Sequence, residues 1–184
     1  MFASKSGKDP RLIELILQQS KQIIRMDINK GILITETIHG LICANSGVDS
    51  SNVEGKEYVT ILPENPDLSA KKISCGISSS FSGLSIPVII SDTFGRPWRN
   101  GQTNATIGIY GINPIKDYRN TQDVFGKKLS TTMIAITDEI AAAAELIMGK
   151  VNQIPIVLIK GINTTFSDVT IHTIFRNKSE DLFR

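Results

Sequence analysis

The residues best suited to chemistry lie in one run, which reads Ser91-Asp-Thr-Phe-Gly-Arg-Pro-Trp-Arg-Asn-Gly-Gln102. It follows an apolar segment, residues 86–90, that is typical of a buried strand, so we expect Asp92 and Thr93 where that strand ends. A carboxylate next to a hydroxyl offers two hard oxygen ligands for a divalent cation, and such a cation often accompanies a phosphorylated partner. The run therefore indicates a candidate metal site.

Two arginines in the same run could bind an anionic partner. Arg96 and Arg99 present planar guanidinium groups that match phosphate or carboxylate oxygens. Composition supports the alternative equally well: a surface loop in which Trp98 packs as an anchor and both arginines are solvated. We expect Arg96 and Arg99 to meet substrate carboxylate or phosphate.

A second run, residues 38–52, follows a strand-like segment at residues 32–37 and ends in a loop of small residues. Asp49 and Asn52 lie three positions apart in this loop. The carboxylate could bind a metal, and the amide could hydrogen-bond a base or a ribose. The alternative is an Asx-type turn, which uses the same side chains to satisfy backbone groups.

The two runs belong to a longer ordered series of motifs that extends from about Gly7 to the last residue. The motifs are His39-Gly40, Cys43-Ala44-Asn45, Gly47-Val48-Asp49, Ser51-Asn52, Ser91 to Gln102, Asp117-Tyr118-Arg119, Asp123, Asp138 to Leu146, Met148-Gly149-Lys150 and Glu180 to Arg184. In that order they resemble the coenzyme F-420:L-glutamate ligases, also called gamma-glutamyl ligases.

The start of the chain differs from the family pattern. Residues 7–12 resemble a stretch that lies well inside family members, which begin with a further segment of roughly a quarter of their length. We therefore expect one gamma-glutamyl-ligase-like domain over residues 1–184 that lacks the amino-terminal part of the family fold. We also expect this length to form little glutamyl amide, and a version extended upstream of Met1 to form it.

The resemblance implies an amide-forming ligase of coenzyme F-420 biosynthesis. A carboxylate is a poor electrophile, so the gamma-phosphoryl group of GTP converts it to an acyl phosphate, from which the amine of L-glutamate displaces phosphate. The acceptor in the family is a deazaflavin. Phosphoryl transfer depends mainly on positioning and charge neutralisation, which Mg²⁺ or Mn²⁺ supplies in the family, with a monovalent cation such as K⁺ assisting.

The resemblance also implies roles for individual residues. Asp49 and Asp92 match ligands of one divalent ion, on which we expect their carboxylates to converge, and Thr93 matches a ligand of a second ion. Asn52 matches a nucleotide contact. A further nucleotide-contacting stretch comprises Met148, Gly149, Lys150, Val151, Asn152, Gln153, Ile154 and Pro155.

Lys150 departs from the ligand pattern of some family members, which have a glutamine ligand of the second metal at that position. An ammonium group cannot bind a cation, so the second metal site is in question, and Lys150 could neutralise phosphate directly. Gln153 lies nearby, but it would match the glutamine metal ligand only if the alignment with the family were shifted.

Two other functions are compatible with the motifs. The chain could be a non-catalytic module that binds a nucleotide or flavin, or a ligase that adds glutamate to another carboxylated small molecule. Other nucleotide and hydrolase signatures are missing: the sequence has no Gly-x-x-x-x-Gly-Lys-Ser/Thr, Gly-x-Gly-x-x-Gly or Gly-x-Ser-x-Gly pattern.

Composition restricts the partners and the compartment. The net charge of +2 is too small to favour nucleic acid or an acidic membrane surface as a partner. No apolar stretch is long enough to span a bilayer. Cys43 and Cys75 lack metal-type spacing, so we expect reduced thiols in a cytoplasmic protein. The family resemblance adds the expectation of a homodimer.

The hydrophobic pattern predicts an α+β fold with a mixed, partly antiparallel sheet and packed helices. Asp9-Pro10 and Asn65-Pro66 are typical helix starts, and a third helix is expected over about residues 137–148, ended by Gly149. Gly40 lies in a short connection that predicts a hairpin, which favours α+β over a doubly wound sheet. Strands are predicted near residues 32–37, 41–44, 86–91, 105–110 and 154–160.

Apolar spacing also predicts which residues share a helix face. In the first helix, Leu12, Ile13, Ile16, Leu17, Ile23 and Ile24 fall on one face. In the second, the apolar positions Ile73, Ile77 and Phe81 recur every four residues, although Gly76 weakens the helix. In the third, Ala141 to Ala144 would permit close packing against a sheet.

Overall fold

The computed structural model describes residues 2–55 and 57–182, which form four helices and seven strands. The helices are α1 (Phe2–Ser6), α2 (Pro10–Gln18), α3 (Pro66–Ser80) and α4 (Ile136–Met148). The strands are β1 (Ser20–Asp27), β2 (Ile32–Thr37), β3 (Ile42–Ala44), β4 (Val88–Arg96), β5 (Arg99–Tyr110), β6 (Ile115–Asp117) and β7 (Met133–Ala135). Small antiparallel sheets accompany helices, so the α+β prediction is confirmed.

No helix in the described ranges is long and apolar enough to cross a membrane.

The chain divides into two compact units. The first comprises Met1–Asn65, Phe94–Gln102 and Phe175–Arg184, and the second comprises Pro66–Thr93 and Thr103–Ile174.

The first unit is built on the antiparallel sheet β1-β2-β3. Gly40 lies between β2 and β3 with φ +93°, a conformation that glycine adopts without a Cβ clash, and the predicted hairpin is confirmed. The core of this unit consists of Ile13, Ile16, Leu33 and Val48. Apolar side chains of α2 thus pack on one face of β2.

Helix α2 begins as predicted and ends earlier than predicted. Pro10 is its first residue, and the carboxylate of Asp9 accepts a hydrogen bond from the Arg11 N–H at 2.8 Å. The expectation that Ile23 and Ile24 continue the helical face is wrong, because both lie in β1, which pairs with β2. The helical spacing is coincidental there, and hydrogen bonds to a neighbouring strand determine the conformation.

Helix α3 also begins at the predicted residue but buries a different face. Its buried side chains are Pro66, Ala70 and Ser74, whereas Phe81 follows the helix and is 64% exposed. The predicted apolar face of Ile73, Ile77 and Phe81 is therefore wrong. The small-residue face is buried because the helix approaches β5 so closely that a Cβ on Gly108 would lie 2.4 Å from Pro66 Cβ.

Asp67 joins three segments of the second unit. It lies in the first turn of α3, where Oδ1 accepts from the Ile109 N–H at 2.7 Å and Oδ2 accepts from the Ile171 N–H at 3.1 Å. One carboxylate thereby satisfies backbone donors of β5 and of a short 3₁₀ turn, Ile171–Ile174. Both donors lie in parts of the chain that approach the start of α3.

Strands β4 and β5 extend beyond the predicted strands near residues 86–91 and 105–110, and they pair with each other. Asp92 and Thr93 therefore lie within β4, and the expectation that they mark its end is wrong. The strand continues because β5 pairs with it as far as a turn at Pro97 and Trp98. Trp98 has φ +64° and is 88% exposed, so it does not pack as an anchor.

The strand predicted near residues 154–160 is also wrong. No strand is assigned there in the described chain, and most of the segment is exposed. The run has a strand-like apolar pattern, but a strand also requires backbone hydrogen bonds to a neighbour, and Pro155 lacks a donor.

Candidate functional site

Asp49 lies in the first unit, where its backbone forms an isolated bridge with Thr60. The Asp49 N–H donates to Thr60 O at 3.1 Å, and the Thr60 N–H donates to Asp49 O at 2.7 Å. The Asp49 carboxylate accepts hydrogen bonds from the Ser51 N–H, at 2.9 Å, and from the Ser51 hydroxyl. Asp49 therefore forms the Asx-type turn that was the alternative interpretation of this loop. The turn holds its carboxylate in an exposed loop, which also contains Asn52 with φ +54°.

The chain leading into this loop is held by a small hydroxyl network that sequence reasoning missed. Ser46 is buried in a left-handed conformation with φ +53°, and its Oγ lies 2.6 Å from both Ser20 Oγ and Thr35 Oγ1. Gly47 follows, and a Cβ there would lie 2.6 Å from Leu62. Such strained, over-determined backbone is common next to functional sites.

In the second unit, Asp92 and Thr93 are neighbours on β4. Asp92 Oδ1 accepts from the Thr93 N–H at 2.7 Å. The hydroxyl of Thr93 donates to Asn104 Oδ1 on β5 at 2.8 Å. Asn104 is buried, and its Nδ2 donates to Glu145 Oε2 on α4 at 3.0 Å.

Sequence reasoning missed the role of Asn104 and Glu145. The sequence offered little signal, because Asn104 is one of several polar residues in β5, and only its burial in the fold requires the amide to be hydrogen-bonded. Helix α4 is joined to β5 at a second point, where the Thr106 N–H donates to Asp138 Oδ1 at 2.8 Å. Ala141, between these two contacts, is buried, which confirms close packing for the first of the four alanines.

The segment expected to contact the nucleotide, Met148 to Pro155, begins at the end of α4. Gly149 ends that helix as predicted, with φ +56°, and its N–H donates to Glu145 O at 3.0 Å. A Cβ on Gly149 would lie 2.4 Å from Asn152 Nδ2, so the Asn152 side chain lies against the end of the helix. Lys150 and most of the following residues are exposed to solvent.

The arginine-containing motifs differ in how their charges are used. Arg96 and Arg99 are exposed near the tip of the β4–β5 hairpin, where Arg96 Nη2 donates to Asn100 O at 3.4 Å. Arg119 instead forms an ion pair with Asp117 at 2.6 Å, and its hydrogen bonds lower the pKa of the Asp117 carboxyl. The Asp117-Tyr118-Arg119 motif is therefore a turn with internally paired charge.

The chemistry of the side chains fits a hard divalent cation. Carboxylate and hydroxyl oxygens, as in Asp49, Asp92 and Thr93, are ligands that Mg²⁺ prefers. Across residues 2–55 and 57–182, no group of three or more His, Cys, Asp or Glu side chains is placed to hold a metal ion. Cys43 and Cys75 are both free thiols.

Comparison with known proteins identifies the family. The family model described as F420-0:Gamma-glutamyl ligase matches residues 1–161. The Coenzyme F420:L-glutamate ligase of Methanocaldococcus jannaschii is 44% identical over 184 residues, which cover 100% of this chain and 72% of the relative. Proteins of the same name from Methanothermobacter thermautotrophicus and Methanosarcina mazei are 41% and 38% identical, over 100% of this chain and 72% and 71% of the relatives. The chain belongs to the F420-0:gamma-glutamyl ligase family.

Proposed function

We propose that this chain adds L-glutamate to the deazaflavin precursor of coenzyme F420 in a GTP-dependent reaction through an acyl phosphate. The observation that carries the proposal is the match over the whole chain to relatives named Coenzyme F420:L-glutamate ligase. Asp92 and Thr93, at consecutive positions of β4, carry oxygen atoms of the kind that bind Mg²⁺, which supports the metal requirement of such a reaction.

The proposed chemistry begins at the acceptor carboxylate. Its oxygen attacks the gamma-phosphorus of GTP, the bond to GDP breaks, and an acyl phosphate forms. The amine of L-glutamate then attacks the acyl carbon, loses a proton, and displaces inorganic phosphate. Each step moves negative charge between oxygens, so positioning and charge neutralisation dominate the rate.

The residues divide into metal ligands and nucleotide contacts. Asp49 in the first unit, and Asp92 and Thr93 in the second, would each be ligands of Mg²⁺ or Mn²⁺, which would supply charge neutralisation at the phosphates, and K⁺ would assist. Asn52 and the segment from Met148 to Pro155 would contact the nucleotide. Within that segment the Lys150 ammonium would neutralise a phosphate oxygen, because it cannot bind a cation.

An isotope experiment tests the reaction and its intermediate together. The protein is incubated with GTP, L-glutamate, Mn²⁺ and a deazaflavin acceptor whose carboxylate carries ¹⁸O. We expect a glutamyl amide by mass spectrometry, in much smaller yield from this length than from a version extended upstream of Met1, and one ¹⁸O atom in each inorganic phosphate released, because the acyl phosphate transfers an acceptor oxygen to phosphorus. Reactions without glutamate and with ATP in place of GTP are the controls.

Each alternative predicts a different result of this experiment. Product with unlabelled phosphate would contradict the acyl phosphate. GDP binding without product would favour a nucleotide-binding module. Product only with another carboxylated acceptor would favour a ligase of different specificity.

We also propose that the chain forms a homodimer. In the second unit, apolar side chains at and after the end of α4 are exposed, among them Leu146, Ile147, Val151, Ile156 and Leu158. Exposed apolar groups in this number are typical of an interaction surface. Light scattering at micromolar concentration should give twice the chain mass of 20.1 kDa. A monodisperse monomer would contradict the proposal.

A further inference from the structure

A chain of two side-chain hydrogen bonds connects α4 to the candidate metal ligand Thr93. Glu145 Oε2 accepts from Asn104 Nδ2 at 3.0 Å, and Asn104 Oδ1 accepts from Thr93 Oγ1 at 2.8 Å. The middle residue is only 5% exposed. The amide of Asn104 is thus largely removed from competing water and links the two outer side chains.

The chemistry of Glu145 and Thr93 determines which group donates and which accepts in these two hydrogen bonds. An ionised carboxylate accepts hydrogen bonds and cannot donate them, so Glu145 requires the NH₂ group of Asn104 on its side. The carbonyl oxygen of the same amide must then face Thr93, where it can only accept. The hydroxyl proton of Thr93 is consequently directed at Asn104, and the oxygen lone pairs point elsewhere.

A hydroxyl group needs this orientation to bind a cation. A freely rotating threonine hydroxyl points its proton toward a nearby positive charge in some of its rotamers, which is repulsive. We propose that Glu145 and Asn104 are positioning residues that hold the Thr93 oxygen with its lone pairs available to a divalent cation. The inference rests on the proposed function, since it assumes that Thr93 is a metal ligand.

The packing of α4 keeps Glu145 at the required distance. Residues 137, 141 and 145 follow the four-residue spacing of one helix face, on which Thr137 and Ala141 are buried. The bond from the Thr106 N–H to Asp138 Oδ1 fixes the start of the helix on β5. The small Ala141 side chain lets the helix lie close to the strand, so the Glu145 carboxylate can reach Asn104.

The substitution Glu145→Gln tests the orientation while preserving size. The new amide can either accept from Asn104 or donate to it, so the amide of Asn104 can reverse and donate to Thr93. We expect Mn²⁺ affinity, measured by electron paramagnetic resonance without GTP or acceptor, to fall about tenfold, the scale found for groups that orient metal ligands. The substitution Thr93→Val should also weaken Mn²⁺ binding, and Glu145→Gln should have no further effect in that background.

A compensating pair of substitutions separates orientation from folding. Combining Asn104→Asp with Glu145→Gln moves the carboxylate to position 104, where it accepts from the Thr93 hydroxyl and from the amide at position 145. We expect this pair to restore Mn²⁺ affinity to within about threefold of the parent, clearly above the roughly tenfold loss expected of Glu145→Gln alone. Thermal unfolding of every variant shows whether each one folds.

The outcomes distinguish the inference from the function on which it rests. Unchanged Mn²⁺ binding in Thr93→Val would remove the ligand role of Thr93 and this inference with it. Weaker binding in Thr93→Val but not in Glu145→Gln would overturn the inference alone. An equal loss from Glu145→Gln in both backgrounds, or no restoration by the folded compensating pair, would also overturn it.

Discussion

The substitution Asp92→Asn is expected to lower kcat/KM for glutamyl-amide formation by about a thousandfold. A bound divalent ion contributes several kcal/mol to transition-state charge stabilisation, and each 1.36 kcal/mol corresponds to a factor of ten. Asparagine retains an oxygen that can accept from the Thr93 N–H, so the local backbone of β4 is preserved. What is lost is the negative charge that would attract the cation.

The matched control is Asp27→Asn. The Oδ1 atom of Asp27 likewise accepts from a backbone N–H, that of Lys30 at 3.1 Å, and Asp27 is the last residue of β1, outside the proposed site. We expect its kcat/KM to remain within about twofold of the parent, which corresponds to less than 0.5 kcal/mol. Rates from initial velocities over a Mn²⁺ titration supply the measurement. Equal activity of the Asp92→Asn variant at all Mn²⁺ concentrations would show that Asp92 holds no metal.

The substitution Gly108→Ala is expected to lower the free energy of unfolding by about 1–3 kcal/mol, the usual cost of overpacking. A Cβ on residue 108 would lie 2.4 Å from Pro66 Cβ and 2.5 Å from its carbonyl carbon. Backbone atoms cannot rotate aside, so the start of α3 must move away from β5. This movement would also strain the hydrogen bond from the Ile109 N–H to Asp67.

A glycine-to-alanine substitution at Gly76 is a control that should change the free energy of unfolding in the opposite direction. Gly76 lies within α3, and a Cβ added there meets no atom within 4 Å. Gly76→Ala should raise the free energy of unfolding by about 0.5–1 kcal/mol, because alanine loses less backbone entropy in a helix. Urea unfolding followed by circular dichroism measures both. Equal stability of Gly108→Ala and the parent would contradict the close approach of α3 and β5.

Short-range sequence signals correctly predicted the helix ends, because these depend on the preferences of neighbouring residues. Pro10 and Pro66 are the first residues of α2 and α3, and Gly149 ends α4, as predicted. Each signal depends on the conformational preference of one or two residues, which tertiary contacts rarely override. The hairpin at Gly40 was predictable for the same reason.

The candidate site was only partly predictable. Asp49, Asn52, Asp92 and Thr93 were identified by residue type and family motif, and their roles remain predictions, as do those of the segment from Met148 to Pro155. The position of Asp92 and Thr93 within β4 was missed, because strand length depends on pairing with β5. Asn104 was overlooked because its function comes from partners on β4 and α4 that are distant in sequence.

The sequence by itself determined the family, the α+β class and the start of the principal helices, since these follow from ordered motifs and short-range preferences. Only the tertiary structure decided which face of α3 is buried, that residues 154–160 form no strand, and that the Asn104 amide is hydrogen-bonded to both Glu145 and Thr93. These features depend on contacts between segments far apart in the chain. Close approach of helix and strand selects small side chains, strands need a hydrogen-bonding neighbour, and a buried amide is oriented by whichever partners the fold places beside it.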